Sequence, residues 1–290
     1  METCYPKVKK IYWQALIILG MLTLLVWLAY FSLRPDYKLH VNFYDVGQGD
    51  SIFIETYLGN QILIDGGPDS TVLQKLGTDL PFYDRTIDLV ILTHLHADHT
   101  AGLIEVLKRY KVKQVMLTRV SYDTQTYKRF LDLLEEKNIH ATIARAGQIV
   151  YLDDSTVLRV LHPFSDLSGQ SFKQVNNTSI ISRLSFGKAD FLFTGDASRE
   201  NEQALVSGGY TVSSEVLKVG HQGSRTSSGE QFLNAVSPDY AVISVGEENS
   251  YGHPHQEVLD NFEKANIPVS RTDESGDIRF VSDGELLEQL

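Results

Sequence analysis

The sequence predicts a mixed α/β protein: two β-sheets packed face to face with helices outside, preceded by one membrane-spanning helix. Three observations carry this. Short apolar runs ending in polar or ionisable residues recur through both halves of the chain, interleaved with amphipathic helical stretches. The first such runs are joined by a Gly-containing turn and a hairpin-type turn, which makes them antiparallel rather than helix-linked. A stretch without charge, residues 11–33, stands alone at the N-terminus.

That stretch, IYWQALIILGMLTLLVWLAYFSL, exceeds the roughly 20 residues needed to span a bilayer. Tyr12, Trp13, Trp27 and Tyr30 lie towards its ends, where aromatic rings favour the membrane interface. Lys7, Lys9 and Lys10 precede it, so by the positive-inside rule residues 1–10 are a cytoplasmic tail and everything after the span is outside. The competing reading is a cleaved signal peptide. Against it stand the length of the apolar run and the lack of a clean small-x-small site after it. Residues 34–38 read as a spacer and 39–290 as the folded domain.

Within that domain, LHVNFYD (39–45) alternates like a strand, and VGQGD turns it into SIFIET (51–56). YLGN is a hairpin turn into QILID (61–65), followed by GGPDS. LVILT (89–93) is a continuous apolar strand, AGLIEVLKRY (101–110) has helical spacing, QVMLT (114–118) is a strand and 124–138 a helix. The second half predicts strands at QIVYL, TVLRVL, SIISRLSF, DFLFTG, EVLKV, YAVISV, PVSRT and DIRFV. Helices are predicted at ASRENEQALV, GEQFLNAV and PHQEVLDNFEKAN. The polar strand ends are expected to converge on one edge of the sandwich.

Composition limits the chemistry. The net charge of -11 and pI of about 5.3 argue against broad electrostatic capture of nucleic acid, which needs Lys and Arg to neutralise phosphates. Bound divalent ions would reverse the local field, so a phosphate-containing substrate stays open. Cys4 is the single cysteine, so any metal must be held by His, Asp, Glu or Asn.

ILTHLHADHT (91–100) packs three of the nine histidines into six residues. His94 and His96, two apart, project to one side of an extended backbone, while Asp98 and His99 follow where the chain turns into a helix. Two pairs of ligands suit two adjacent ions of zinc, manganese or iron. Two ions about 3.5–4 Å apart would activate a shared water and clamp the oxygens of a phosphoryl or carbonyl group. Three further apolar strands end in Asp65, Asp196 and His221, and Asp196 is placed to bridge two ions.

DVGQGDS (45–51), LIDGG (63–67), THLHADHTAGL (93–103), NNTSII (176–181), FLFTGD (191–196), LKVGHQGSRTSS (217–228) and YGHPH (251–255) resemble the metallo-β-lactamase superfamily. Within it, they resemble the C-terminal hydrolase domain of ComEC-type DNA-uptake proteins. The resemblance runs in order from about residue 39 to the C-terminus. It implies a four-layer αββα sandwich with metals at one edge. His94 and His96 would bind metal 1; Asp98, His99 and His221 metal 2; Asp196 would bridge them, and Asp65 would orient the cluster from behind. Asp98 would also serve in catalysis. Where much of the superfamily has another metal-1 histidine, this chain has Asn176-Asn177. Asn177 is expected as the weak ligand, with Asn176 as the alternative, which brings manganese forward beside zinc. The branch commonly reads GHHGS; this chain reads GHQGS, and Gln222 is expected to point away from the metals.

Other residues admit two readings. His253 offers a proton donor or substrate contact, or is structural before Pro254. Arg225 and Ser224 could hold a phosphate, or form a plain turn. His162 reads as structural. Lys108, Arg109, Lys111 and Lys113 could track a nucleic-acid backbone, or form a solvated helix end. The expected function is a membrane-anchored extracellular hydrolase with two divalent ions, acting on DNA. Alternatives are a phosphodiesterase on envelope polymers such as phosphocholine-decorated teichoic acid, and a non-catalytic module serving a separate DNA-uptake machinery.

Overall fold

The computed structural model describes residues 5–32 and 36–290, in two units divided after Asp36. In the first, α1 (Tyr5–Ser32) is a single helix. Its segment Lys9–Leu28 has a mean hydropathy of 2.0 and is not buried against protein, so it is a candidate membrane span. Twenty residues rise about 30 Å, the thickness of a bilayer's hydrocarbon core. Inside this segment the Thr23 hydroxyl donates to the Leu19 carbonyl at 2.8 Å, as a polar group in lipid must. The first four residues of the expected tail, the end of the expected span at Leu33 and the start of the spacer lie outside the described residues.

The second unit, Tyr37–Leu290, contains two sheets. Its strands are β1 (Leu39–Phe43), β2 (Ile52–Glu55), β3 (Gln61–Ile64), β4 (Thr86–Ile91), β5 (Lys111–Leu117), β6 (His140–Ile143), β7 (Ile149–Tyr151), β8 (Thr156–His162), β9 (Ile181–Phe186), β10 (Ala189–Phe193), β11 (Val216–Lys218), β12 (Tyr240–Ile243), β13 (Val269–Arg271), β14 (Ile278–Ser282) and β15 (Leu287–Gln289). The first sheet runs β15-β14-β1-β2-β3-β4-β5-β6 and the second β13-β12-β11-β10-β9-β8-β7. The helices are α2 (Thr71–Asp79), α3 (Ala97–Arg109), α4 (Gln125–Glu136), α5 (Arg199–Ser207), α6 (Glu230–Val236), α7 (Gln256–Lys264) and α8 (Thr272–Ser275).

The period-two alternation of each strand sorts its side chains between two cores. Ile62 and Ile64 face the second sheet, where they join Phe191, Phe193 and Val216. Leu63 between them packs with Val72 of α2, Leu103 of α3 and Phe130 of α4. On the other side, Leu192 and Leu217 meet Leu205 of α5, Phe232 of α6 and Phe262 of α7. Helices, sheet, sheet, helices: this is the four-layer sandwich. Both faces of the central strands are covered, which is why ILI (62–64) and FLF (191–193) read as unbroken apolar runs.

Parallel pairing aligns the strand ends that matter. β3 and β4 pair in parallel, as do β10 and β11. Asp65 and Thr93 follow the first pair; Asp196 and His221 follow the second. The Ile180 amide donates to the Thr93 carbonyl at 2.9 Å and stitches the two sheets together at this edge.

α2, α8, β6 and β15 are not expected from sequence, and β5 starts earlier than expected, at Lys111. The basic run is therefore split. Lys108 and Arg109 close α3 and pair with Glu105, while Lys113 on β5 pairs with Asp88. Lys111 lies opposite Thr86, at the start of β4 and so at the far end from the histidines. The run therefore spans the end of α3 and the start of β5 rather than one helix end.

α3 approaches the Asp65-Gly66-Gly67 loop closely, and Gly102 makes this contact possible. A Cβ there would lie 1.8 Å from the Gly66 carbonyl oxygen and 2.6 Å from that of Asp69. Backbone cannot yield as a side chain can. Gly102→Ala is expected to destabilise the protein by about 3 kcal/mol, read from the urea midpoint. An unchanged midpoint would show that the helix and loop are free to move apart.

Candidate metal centre

The site is assembled at the edge where the two sheets meet. Asp65, at φ 57°, holds a left-handed conformation that aims its carboxylate back at the β4 end. It accepts the Thr93 amide at 2.8 Å, the Thr93 hydroxyl at 2.6 Å and His99 Nδ1–H at 2.8 Å. With a proton fixed on Nδ1, His99 turns Nε2 towards Asp196 (3.5 Å) and Asp98 (3.7 Å). His94 Nε2 lies 3.8 Å from the other oxygen of Asp196 and 3.2 Å from His96 Nδ1. His221 Nε2 comes from the second sheet to 3.8 Å from the same oxygen, Oδ2. Asp196 thus faces three imidazoles.

The separations of 3.5–3.8 Å between Asp196 and these imidazoles are too long for good hydrogen bonds and too short for indifference. His99 Nε2 and Asp196 Oδ1 are buried without a hydrogen-bond partner. Ligand atoms of His94, His99 and Asp196 lie within 4.8 Å of one another. Burial and the neighbouring His99 push His94 well below the ordinary histidine range, leaving a neutral ring with a free lone pair. Burial likewise lowers His96. Burial opposes the protonation of His99, but Asp196, Asp98 and Asp65 hold it well above its usual value. Burial also opposes ionisation of Asp196, yet His99, His94 and His221 depress its carboxyl. A point among carboxylates that draws a proton onto His99 draws positive charge, and beside the neutral His94 ring this fits divalent metal ions, which would take the place of that proton.

A second layer lies underneath. Lys218 and Asp50, both buried, pair across the two sheets at 3.0 Å, and Lys218 Nζ also donates to the Val219 carbonyl at 2.9 Å. Burial pushes the Asp50 carboxyl up to about 6, against the pull of Lys218. Neither residue was singled out from sequence, although a lysine inside the apolar run EVLKV was a signal.

Three site expectations need correction. Asn177 does not turn to the cluster: its side chain donates to Glu200 Oε2 at 3.0 Å. Asn176 does, with Nδ2 3.0 Å from His221 Nε2 and Oδ1 buried without a partner. The two sit on a 3₁₀ turn (Val175–Thr178), where successive side chains diverge by about 120°. Gln222 does not point away. His221 and Gln222 are both left-handed (φ 47° and 53°), which curls Gln222 back so that its Nε2 donates to Asp98 Oδ2 at 3.1 Å. Its Oε1 accepts from Gln48 Nε2, and Gln48 Oε1 accepts the Gly246 amide at 3.2 Å. Ser224 is turned into its own loop, its hydroxyl accepting from that of Thr226 at 3.1 Å, and is not open to a substrate.

Arg225 is exposed, and its amide donates to His255 Nδ1 at 3.2 Å. His253 lies edge-on to His221, with ring centroids 5.4 Å apart. Burial and His221 lower it to about 4, so at neutral pH it is a neutral contact rather than a charged acid. His162 donates from Nδ1 to the Ser179 carbonyl at 2.7 Å and accepts from Asn201 at 3.1 Å, which ties β8 to α5.

This fold and edge define a class. Residues 44–247 match the metallo-beta-lactamase superfamily, and the chain belongs to it. Its domain is homologous to the ComEC-type competence proteins. It is 30% identical over 257 residues to ComE operon protein 3 of Bacillus subtilis, covering 83% of this chain and 32% of that protein. It is 30% identical to competence protein ComA of Neisseria gonorrhoeae, covering 85% of this chain and 33% of that one. The chain thus spans about a third of the length of these relatives. The metallo-beta-lactamase fold protein YhfI of Bacillus subtilis superposes with a TM-score of 0.57 at 14% identity, over 85% of this chain and all of that one.

The amide relay onto Asp98 has a measurable consequence. Gln222→Ala is expected to weaken zinc or manganese binding about ten-fold, read by competition with a chelator. Unchanged affinity in a folded variant contradicts a role for this amide in holding Asp98.

Proposed function

We propose that this chain is a membrane-anchored phosphodiesterase that cleaves DNA outside the cell with two divalent ions, zinc or manganese. The observation that carries this is the buried Asp196 carboxylate facing His94, His99 and His221 at 3.5–3.8 Å, with polar atoms that no protein group satisfies. In this reading His94 and His96 hold one ion, with Asn176 beside them. Asp98, His99 and His221 would hold the other, with Asp196 placed between the two sets of ligands. When bound, such ions supply Lewis acidity to a phosphoryl oxygen and lower the pKa of a water.

The chain's own groups do the rest. Asp65 keeps the His99 proton on Nδ1, Gln222 fixes one oxygen of Asp98, and His253 offers a neutral contact beside His221. A phosphodiester is favoured as substrate because two ions side by side suit the charge of its transition state. DNA is favoured because relatives at 30% identity include one named a competence protein. The candidate span in α1, with Lys7, Lys9 and Lys10 before or at its start, supports an N-in orientation.

Two tests follow. Asp196→Ala should lower hydrolysis by about 10³-fold or more, roughly 4 kcal/mol of barrier, in a protein with unchanged circular dichroism. The wild type should be offered single-stranded DNA, duplex DNA and a phosphocholine ester. Full activity of Asp196→Ala sinks the two-ion mechanism; hydrolysis of the phosphocholine ester alone sinks the DNA assignment. For topology, protease added to intact cells should digest the domain. Digestion that occurs only after lysis reverses the orientation.

A further inference from the structure

The candidate centre opens into a cavity of about 330 Å³, whose walls include His96, Asp98, Asp196, His221 and Tyr251. Tyr251 has no part in the metal reading. It is 66% exposed, yet its position is not loose. One face of its ring stacks on His253, with centroids 5.7 Å apart and planes 24° apart. The loop beneath is braced by Asn249, which donates to the Gly246 and His253 carbonyls at 2.9 and 2.8 Å and accepts the His253 amide at 2.9 Å. A braced aromatic ring with one face covered and the other open is a surface for a flat partner.

We propose that Tyr251 is a base-stacking subsite that takes the base next to the scissile phosphate, making unpaired nucleic acid the preferred substrate. This rests on the phosphodiesterase reading above and specifies its substrate. His253 separates Tyr251 from His221 by two ring contacts of 5.7 and 5.4 Å, a reach that the sugar and base of a bound phosphate can cover. Glu247 and Glu248 are exposed on the same loop, four and three residues before Tyr251. They make it a poor place for a phosphate and leave a neutral ring as the better occupant. A quaternary ammonium is typically held by a cage of several aromatic rings. Tyr251 offers a single free face, because His253 covers the other. A base presents its face to a side chain only when it is unstacked from its neighbours, as in single strands.

The test uses the full chain in detergent with manganese. Wild type, Tyr251→Ala and Tyr251→Phe are each given a single-stranded oligodeoxynucleotide, an abasic oligomer of the same length, the duplex and a phosphocholine ester. Wild type should prefer the base-bearing single strand over the abasic oligomer and the duplex. In Tyr251→Ala the ratio of kcat/KM for the base-bearing over the abasic oligomer should fall about ten-fold or more, through KM. Tyr251→Phe should keep the wild-type ratio. If Tyr251→Ala leaves that ratio unchanged while the wild type cleaves both oligomers, the subsite is wrong and the phosphodiesterase reading stands. If the wild type cleaves neither oligomer but hydrolyses the phosphocholine ester, the DNA reading falls and the subsite with it.

Discussion

The Asp196 carboxylate is the point on which the site depends. It is buried, it follows an apolar strand, and it faces imidazoles from two distant segments of chain, His94 and His99 from one and His221 from the other. A buried carboxylate is costly unless positive charge is brought to it. The fold brings that charge by running β3, β4, β10 and β11 so that their ends meet at one edge. Apolar runs carry these strands through the cores, and the ligating side chains follow where those runs end. The chemistry is placed by where burial ends.

Holding such a cluster needs support from below, and two devices supply it. Asp65 uses a left-handed backbone to reach both Thr93 and His99, so one carboxylate fixes the end of β4 and the tautomer of a histidine on α3. Lys218 and Asp50 join the sheets with a fully buried ion pair. Removing either partner would strand a charge in the interior, a cost of about 3–5 kcal/mol. The pair ties the sheets together beneath the cluster without occupying the edge where substrate would enter.

Much of this was legible in the sequence because it depends on periodicity and spacing. The H-x-H-x-D-H cluster after an apolar run, and the three other strand-end residues, already located the site. The four-layer architecture followed from the motifs and the alternating halves. What was hidden depends on backbone turns that leave no periodic trace. The 3₁₀ turn exchanges the roles of Asn176 and Asn177, and two successive left-handed residues swing Gln222 onto Asp98. The lysines of KVKQVML alternate with buried Val112 as a strand requires, but their nearness to the end of α3 disguised that. Tyr251 was part of a quoted motif, yet its exposure beside the cavity is a tertiary fact.

On the proposed function, the edge of the sandwich would hold a pair of ions with Asp196 between them. The most direct measurement is anomalous diffraction from crystals grown with manganese. Two peaks about 3.5–4 Å apart are predicted, one against His94 and His96, the other against Asp98, His99 and His221, with Asp196 in contact with both. A single peak away from Asp196, or none at this edge in crystals soaked to saturation, would contradict it.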